Sequence, residues 1–236
     1  MIPKKIHYCW FGKKALPAEV IKCIDSWRKY APDYEIIRWD ESNFDVFLHP
    51  FTNAAYKEKA WAFVSDYARL KIIYDDGGIY LDTDVEMLKS MDSLLKNKFF
   101  IGKQQGGYPT TGLGYGAEKH SEIVRKMMEE YDKVSFSNDE KTKLACPLLN
   151  SKVIYDLGYT TTETIWEKDG VIVFPSKYFD PIAQGNTKNL LCDESYSIHH
   201  YAGSWTSKSN ILKRKIFRMI GEKNIYKIKK IMGRVE

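Results

Sequence analysis

Apolar positions recur along this chain in two rhythms, one suited to helices and one to strands. From Ala60 to Tyr74, the residues Trp61, Val64, Ala68, Ile72 and Ile73 fall at three- and four-residue steps, which predicts a helix. Asp75-Asp76-Gly77-Gly78 ends it, because glycines just past a periodic stretch supply the left-handed backbone that terminates helices. A short apolar strand, Ile79-Tyr80-Leu81, follows and runs out into Asp82-Thr83-Asp84. Upstream, Lys5 to Phe11 reads as a buried strand, Ala18 to Tyr30 as a helix opened by Pro17, and Tyr34 to Trp39 as a second strand. Strand, helix, strand at this spacing is a βαβ unit, so the sheet is expected to be mostly parallel with helices on its faces. Short helical pieces are expected over Asn43 to Tyr56.

Later in the chain, Phe99 to Gly102 and Val171 to Phe174 read as strands, His120 to Tyr131 and Pro147 to Leu157 as helices, and Tyr196 to Trp205 as a strand entering a turn. Gly106 to Gly116 is too rich in glycine and threonine for a core element, and loops of that length are usually functional. No internal repeat is present, so one domain over 1–207 with a tail over 208–236 is the simplest division.

Charge separates these two parts. The tail holds ten Lys or Arg against Glu222 and Glu236, a net +8, while the whole chain is +5 and the body is therefore −3. Aliphatic residues alternate with cations from Ile211 to Gly233, a pattern that suits a basic amphipathic helix drawn to an anionic membrane surface. With basic residues confined to the tail, nucleic-acid binding is not expected. The four cysteines form no C-x-x-C pair, no signal peptide opens the chain, and no apolar run reaches the roughly 18 residues that span a bilayer. The expected location is cytoplasmic, at most peripheral to the inner face of the plasma membrane.

The chemistry gathers at the Asp-rich turn. Two carboxylates at i and i+2 where a strand runs out are hard-oxygen ligands for a divalent cation, and open ends of parallel strands are where α/β sheets hold ligands. A cation held by so few protein ligands keeps positions for a diphosphate, which points to nucleotide-linked substrates. Asp66 and Arg69, three apart on the preceding helix, share one face with each other.

Three segments, IPKKIHYCWFG from Ile2, SDYARLKIIYDDGGIYLDTDVE from Ser65 and HHYAGSW from His199, resemble in order the DXD-containing glycosyltransferase family 32. That family includes yeast mannosyltransferases and bacterial capsule enzymes, and the clostridial glucosylating toxins have a similar core. The resemblance implies a GT-A fold, an α/β Rossmann-like mixed and mostly parallel sheet with helices on both faces. It also implies a sugar-nucleotide donor, Mn²⁺ or Mg²⁺, and retention of anomeric configuration. Carried over, Trp10 would stack on the donor base, and Asp66 and Arg69 would hold the donor sugar or ribose. Asp82 would touch donor hydroxyls and reach the metal largely through water, while Asp84 would bind the metal directly. His200 would add a ligand, His199 would be structural, and Ser204 and Trp205 would close over the diphosphate.

The expected activity is transfer of a hexose, UDP-linked, to a saccharide or lipid-linked oligosaccharide in capsule, exopolysaccharide or O-antigen synthesis. Acceptor contacts are expected from Gly106 to Gly116 and around Asn150. The alternatives are a haloacid-dehalogenase-like sugar phosphatase using Asp82 and Asp84, a protein-glycosylating effector of the toxin type, and a glycan-binding module with a vestigial site.

Overall fold

The computed structural model describes residues 1–183 and 188–202. The tail over 208–236, together with Ser204 and Trp205, lies outside the described residues, so the expectations placed on them rest on sequence alone. No helix among the described residues is long and apolar enough to cross a membrane.

The chain opens with β1 (Lys5–Cys9), α1 (Ala18–Tyr30) and β2 (Glu35–Trp39), followed by α2 (Pro50–Lys57), α3 (Trp61–Asp76), β3 (Gly78–Tyr80) and β4 (Val85–Met87). After β5 (Phe99–Gly102), β6 (Tyr115–Ala117) and α4 (Glu122–Asp132) come α5 (Cys146–Asp156), β7 (Trp166–Lys168), β8 (Val171–Phe174), α6 (Ser176–Phe179) and β9 (Ser197–His199). Seven strands form one sheet in the order β2-β1-β3-β6-β5-β8-β7, and β4 and β9 form a separate antiparallel ribbon. In the sheet, β1 is parallel to both β2 and β3, and β5 is parallel to β8, while β6 and β7 run against their neighbours. The carboxyl ends of β1, β2, β3 and β5 therefore share one edge.

Each face of the sheet carries its own core. On one, α1 buries Val20, Cys23, Ile24 and Trp27 with Ile6, Tyr8, Ile79 and Leu81. On the other, α3 packs Val64, Ala68, Ile72 and Ile73 beside Tyr80, Phe99 and Tyr115, under α2, α4 and α5. The expected α/β class and helices on both faces are thus the observed ones. Three short strands were not anticipated, β4, β6 and β7. β6 ends the stretch read as loop, where Tyr115 and Ala117 face the core between β3 and β5.

One helix fixes the geometry of the rest. Nine of the sixteen residues of α3 are buried, including Asp66 and Arg69, so this is a helix enclosed on nearly all sides. It stops at Gly77, whose φ of 65° is open to glycine and whose N–H returns to the carbonyl of Ile73. A Cβ on Gly77 would stand 2.8 Å from the backbone nitrogen of Lys119. His7 then locks the turn from β1. Its Nε2 lies 2.9 Å from the Gly77 carbonyl, and its Nδ1 accepts the indole N–H of Trp39 at 3.0 Å, so Nε2 carries the proton and the ring is neutral. Burial holds its pKa down at about 4.

Candidate active site

Because α3 ends in a tight turn and β3 leaves it at once, the first turns of α3 and the end of β3 are held against each other. Arg69 sits at the junction. Its Nη2 lies 2.9 Å from Asp66 Oδ1 and 3.1 Å from Asp82 Oδ1, its Nε donates to the Ser65 carbonyl at 3.1 Å, and its guanidinium lies over the Tyr80 ring at 4.9 Å. Arg69 is 3% exposed and Asp66 7%. Burial opposes charge on the guanidinium, but Asp82, Tyr80 and Asp66 outweigh it and hold Arg69 firmly protonated.

The two carboxylates respond in kind. Burial pushes Asp66 up to about 6 against the pull of Arg69, with the thiol and backbone N–H of Cys146 also favouring its anion. Asp82 is raised too, by burial and by the nearby charge of Asp84, again against Arg69. Cys146 opens α5, so Asp66 meets the positive end of a helix. Its Sγ lies 3.6 Å from Arg69 Nη1 and 3.6 Å from Thr110 Oγ1, and burial lifts its thiol to about 12, which keeps it neutral. Asn150, fully buried on the same helix, donates to Thr111 Oγ1 at 2.9 Å, and the Thr110–Leu113 segment passes directly over Asp82. At Gly112 a Cβ would stand 2.7 Å from Asp82 Oδ2, so only glycine allows that approach.

Past β3 the site changes character. Asp84 precedes β4, and β9 pairs with β4 in the register Val85↔His199. His199 Nε2 lies 3.0 Å from Asp84 Oδ1, and the Ala202 N–H donates to Asp84 Oδ2 at 2.7 Å. Burial would raise the Asp84 pKa, but His199 and the Ala202 amide prevail and bring it to about 2. Burial would lower that of His199, and Asp84 turns the shift upward. Asp82, Asp84 and His199 each offer a ligand atom, and these atoms lie within 4.8 Å of one another. Two carboxylates and an imidazole suit Mn²⁺ or Mg²⁺, the imidazole favouring Mn²⁺.

The sequence reading gives the metal role to His200 and a structural role to His199; in the structure it is His199, and not His200, that faces Asp84 and Asp82. Successive side chains on β9 point to opposite faces, and the phase set by pairing with β4 turns His199 to the aspartates. His200 Nε2 instead lies 2.8 Å from Glu86 Oε2.

Trp10, just past the end of β1, is on the same sheet edge, half-buried, with its indole N–H donating to the Lys14 carbonyl at 2.7 Å. Nearby, Lys13, Arg38, Asp40, Glu41 and Ser42 line a cleft of about 380 Å³. Asp66, Arg69, Asp82 and Asp84 are thus brought together, with Trp10 at the same edge. Thr110 and Gly112 fall within the 106–116 run expected to contact the acceptor, but their place against Cys146 and Asp82, like that of Cys146 against Asp66, depends on contacts across long chain separations. The glycine-rich run was the one signal that pointed to Gly112.

Residues 17–101 match a family described as the glycosyltransferase sugar-binding region containing a DXD motif. Over 229 residues, 90% of this chain and 87% of the relative, it is 25% identical to an uncharacterized glycosyltransferase, L373, of Acanthamoeba polyphaga mimivirus. It is 30% identical over 111 residues to inositol phosphoceramide mannosyltransferase 1 of Schizosaccharomyces pombe, covering 42% of this chain and 33% of that one. Among solved structures, the PaToxG glycosyltransferase superposes with a TM-score of 0.53 at 20% identity, over 66% of this chain and 69% of that chain. The chain has the GT-A fold of that glycosyltransferase, and its residues 17–101 are similar to the DXD-containing sugar-binding region.

Proposed function

We propose that this protein is a metal-dependent, retaining hexosyltransferase that takes a hexose from a UDP-sugar and delivers it to a saccharide hydroxyl. The pathway would be capsular, exopolysaccharide or O-antigen synthesis, in the cytoplasm, with a saccharide or lipid-linked oligosaccharide as acceptor. One observation carries the reading. Asp82 is shared between a buried guanidinium cluster with Asp66 and Arg69 and a ligand cluster with Asp84 and His199. A donor has a sugar at one end of a diphosphate, and this chain has hydroxyl-binding groups beside a cation site.

The donor set fits a divalent cation, and Asp82, Asp84 and His199 would hold it. When bound, that ion supplies Lewis-acid stabilisation of the departing diphosphate. The chain's own residues do the remainder. Trp10 stacks on the base, with its ring angle fixed by the hydrogen bond to Lys14. Asp66, kept in place by Arg69 and the start of α5, accepts hydrogen bonds from sugar hydroxyls. Arg69 is held by two carboxylates and a backbone carbonyl, so its charge is preorganised and costs little rearrangement as charge shifts in the transition state.

Asp66 and Asp82 each give one oxygen to Arg69 and are assigned to hydroxyl and cation binding, so the reading assigns no carboxylate as a nucleophile. The acceptor hydroxyl would therefore attack from the face the diphosphate leaves, with a diphosphate oxygen taking its proton. The anomeric C–O bond to the acceptor forms as that to the diphosphate breaks, and configuration is retained.

A panel of nucleotide sugars assayed for Mn²⁺-dependent hydrolysis identifies the donor, and proton NMR of the first-formed product reports its anomeric configuration. Asp84→Ala is expected to abolish transfer and Mn²⁺-dependent hydrolysis with the fold retained. Full hydrolysis in that variant would overturn the metal assignment.

A further inference from the structure

Asp180 has no part in the chemistry described above, yet it is a fully buried carboxylate directly after α6. Its Oδ2 accepts from the Gln105 N–H at 2.9 Å and from the Tyr201 hydroxyl at 2.8 Å. Its Oδ1 is buried and has no hydrogen-bond partner among the described residues. An unmatched acceptor of this kind costs about 1–3 kcal/mol, more when it is charged, so it calls for a donor.

A matching deficit exists at His199. Its Nε2 is engaged by Asp84, while its Nδ1 is buried and also has no partner among the described residues. Tyr201 joins the two groups, its ring packed on the His199 imidazole at 4.1 Å between centroids and its hydroxyl on Asp180. Each also senses the other's charge, Asp180 favouring the imidazolium and His199 favouring the carboxylate. Asp180 is held from behind as well. The Gln105 side-chain amide donates to the Asp180, Pro181 and Lys188 carbonyls at 3.0, 3.1 and 3.2 Å.

Facing Asp84 as a hydrogen-bond donor, His199 carries its proton on Nε2. To offer Nε2 to a cation, the ring must carry that proton on Nδ1, and the Nδ1–H then needs an acceptor. We infer that Asp180 is a positioning residue for the metal site, its unpartnered Oδ1 accepting the Nδ1–H of His199 when Nε2 ligates a divalent cation. This rests on the metal reading given above. It makes a carboxylate 96 residues past Asp84 in the chain a determinant of cation affinity without touching the ion.

The experiment measures Mn²⁺ binding by the signal of free Mn²⁺ in electron paramagnetic resonance, in wild type, Asp180→Asn, His199→Ala and the double variant. Asp180→Asn is expected to weaken Mn²⁺ about 10- to 100-fold, and to have no further effect once His199 is alanine. Unchanged affinity in Asp180→Asn would overturn the proposal, as would an equal loss in both backgrounds, since that is the mark of a merely structural role. Wild type binding Mn²⁺ no better than Asp84→Ala would remove the metal reading itself and this inference with it.

Should Asp180→Asn fail to fold, ¹⁵N-histidine NMR of the Mg²⁺-loaded wild type decides. An Nδ1–H on His199 protected from exchange with water is expected. A ring protonated on Nε2, or an Nδ1–H exchanging like an exposed one, would overturn the assignment.

Discussion

The proposed site is built in two halves that meet at Asp82 and differ in how they are held, one assigned to the sugar and one to the metal. The sugar half, Asp66 and Arg69, lies on an enclosed helix and is surrounded by Ser65, Tyr80, Tyr115 and Cys146. The metal half, Asp84 and His199, hangs on a two-stranded ribbon outside the main sheet, with one ligand from the middle of the domain and one from its end. The first is part of the core and would be in place before any ligand arrives. The second completes itself only when the late strand has found β4. Removing one group should therefore hurt folding in the first half and binding in the second.

The largest effect is expected from Arg69→Met, which leaves the Asp66 and Asp82 carboxylates buried without their cation. Breaking a buried pair in this way costs about 3–5 kcal/mol. Arg69→Lys should recover little, because an ammonium cannot reach two carboxylates and a carbonyl with the same fork of donors. Asp84→Ala, in contrast, should cost about 2 kcal/mol while ending metal binding. Urea denaturation of the three variants makes the comparison, and equal losses at Arg69 and Asp84 would show that the halves are not differently built.

Gly112→Ala probes the point where the halves join. The added Cβ must displace either the Thr110–Leu113 backbone or the Asp82 carboxylate that stands 2.7 Å away. Overpacking of this kind costs about 1–3 kcal/mol, and a misplacement near 1 Å at a reacting group can cost about 100-fold in rate. The expected outcome is a fall in kcat/KM far larger than the fall in stability, measured as donor hydrolysis beside a melting curve. Loss of stability with unchanged turnover would mean that the loop, not Asp82, gives way.

Acid separates the turn that feeds the site from the site itself. His7 has a native pKa near 4 against an ordinary 6.5, so between those values the unfolded chain binds the extra proton. Its contribution to stability is whole above pH 6.5 and is lost as pH falls towards 4, about 2 kcal/mol between pH 7 and 5. Asp66 has the opposite sign, because its native pKa is raised to about 6 and protonation relieves its burial as pH falls below that value. The total slope mixes the two, so the measurement is the difference between wild type and His7→Gln. The variant should be less stable at pH 7 and lose less on going to pH 5, whereas parallel curves would remove the neutral buried role of His7.

How much of this could be read from sequence follows the range of the contacts. The helix α3, the Gly77 stop and the acids of Asp82-Thr83-Asp84 are set by spacing within one stretch, and periodicity exposes them. Asp66 and Arg69 could be placed on one helix face, but not recognised as buried, since that depends on α2, α4 and α5 closing over them. Cys146 against Asp66, and Gly112 against Asp82, join residues 80 and 30 positions apart in the chain, and no local pattern carries such pairings. β6 was hidden because three core residues at the end of a glycine-rich run have too little sequence to show a period. For the late histidines the local rhythm was legible and its phase was not.

That phase sets up the smallest expected effect and the sharpest contrast. His199 and His200 are neighbours, and strand alternation alone gives one to the aspartates and the other to Glu86. The His200–Glu86 pair is 41% and 43% exposed, and ion pairs at such positions contribute about 0–1 kcal/mol. His200→Ala should therefore leave the Mn²⁺ affinity within about twofold of wild type and the stability within about 1 kcal/mol. His199→Ala should lose the metal. If the two results are exchanged, β9 sits one residue out of the register Val85↔His199, and the site is the one expected from sequence, with His200 as the ligand.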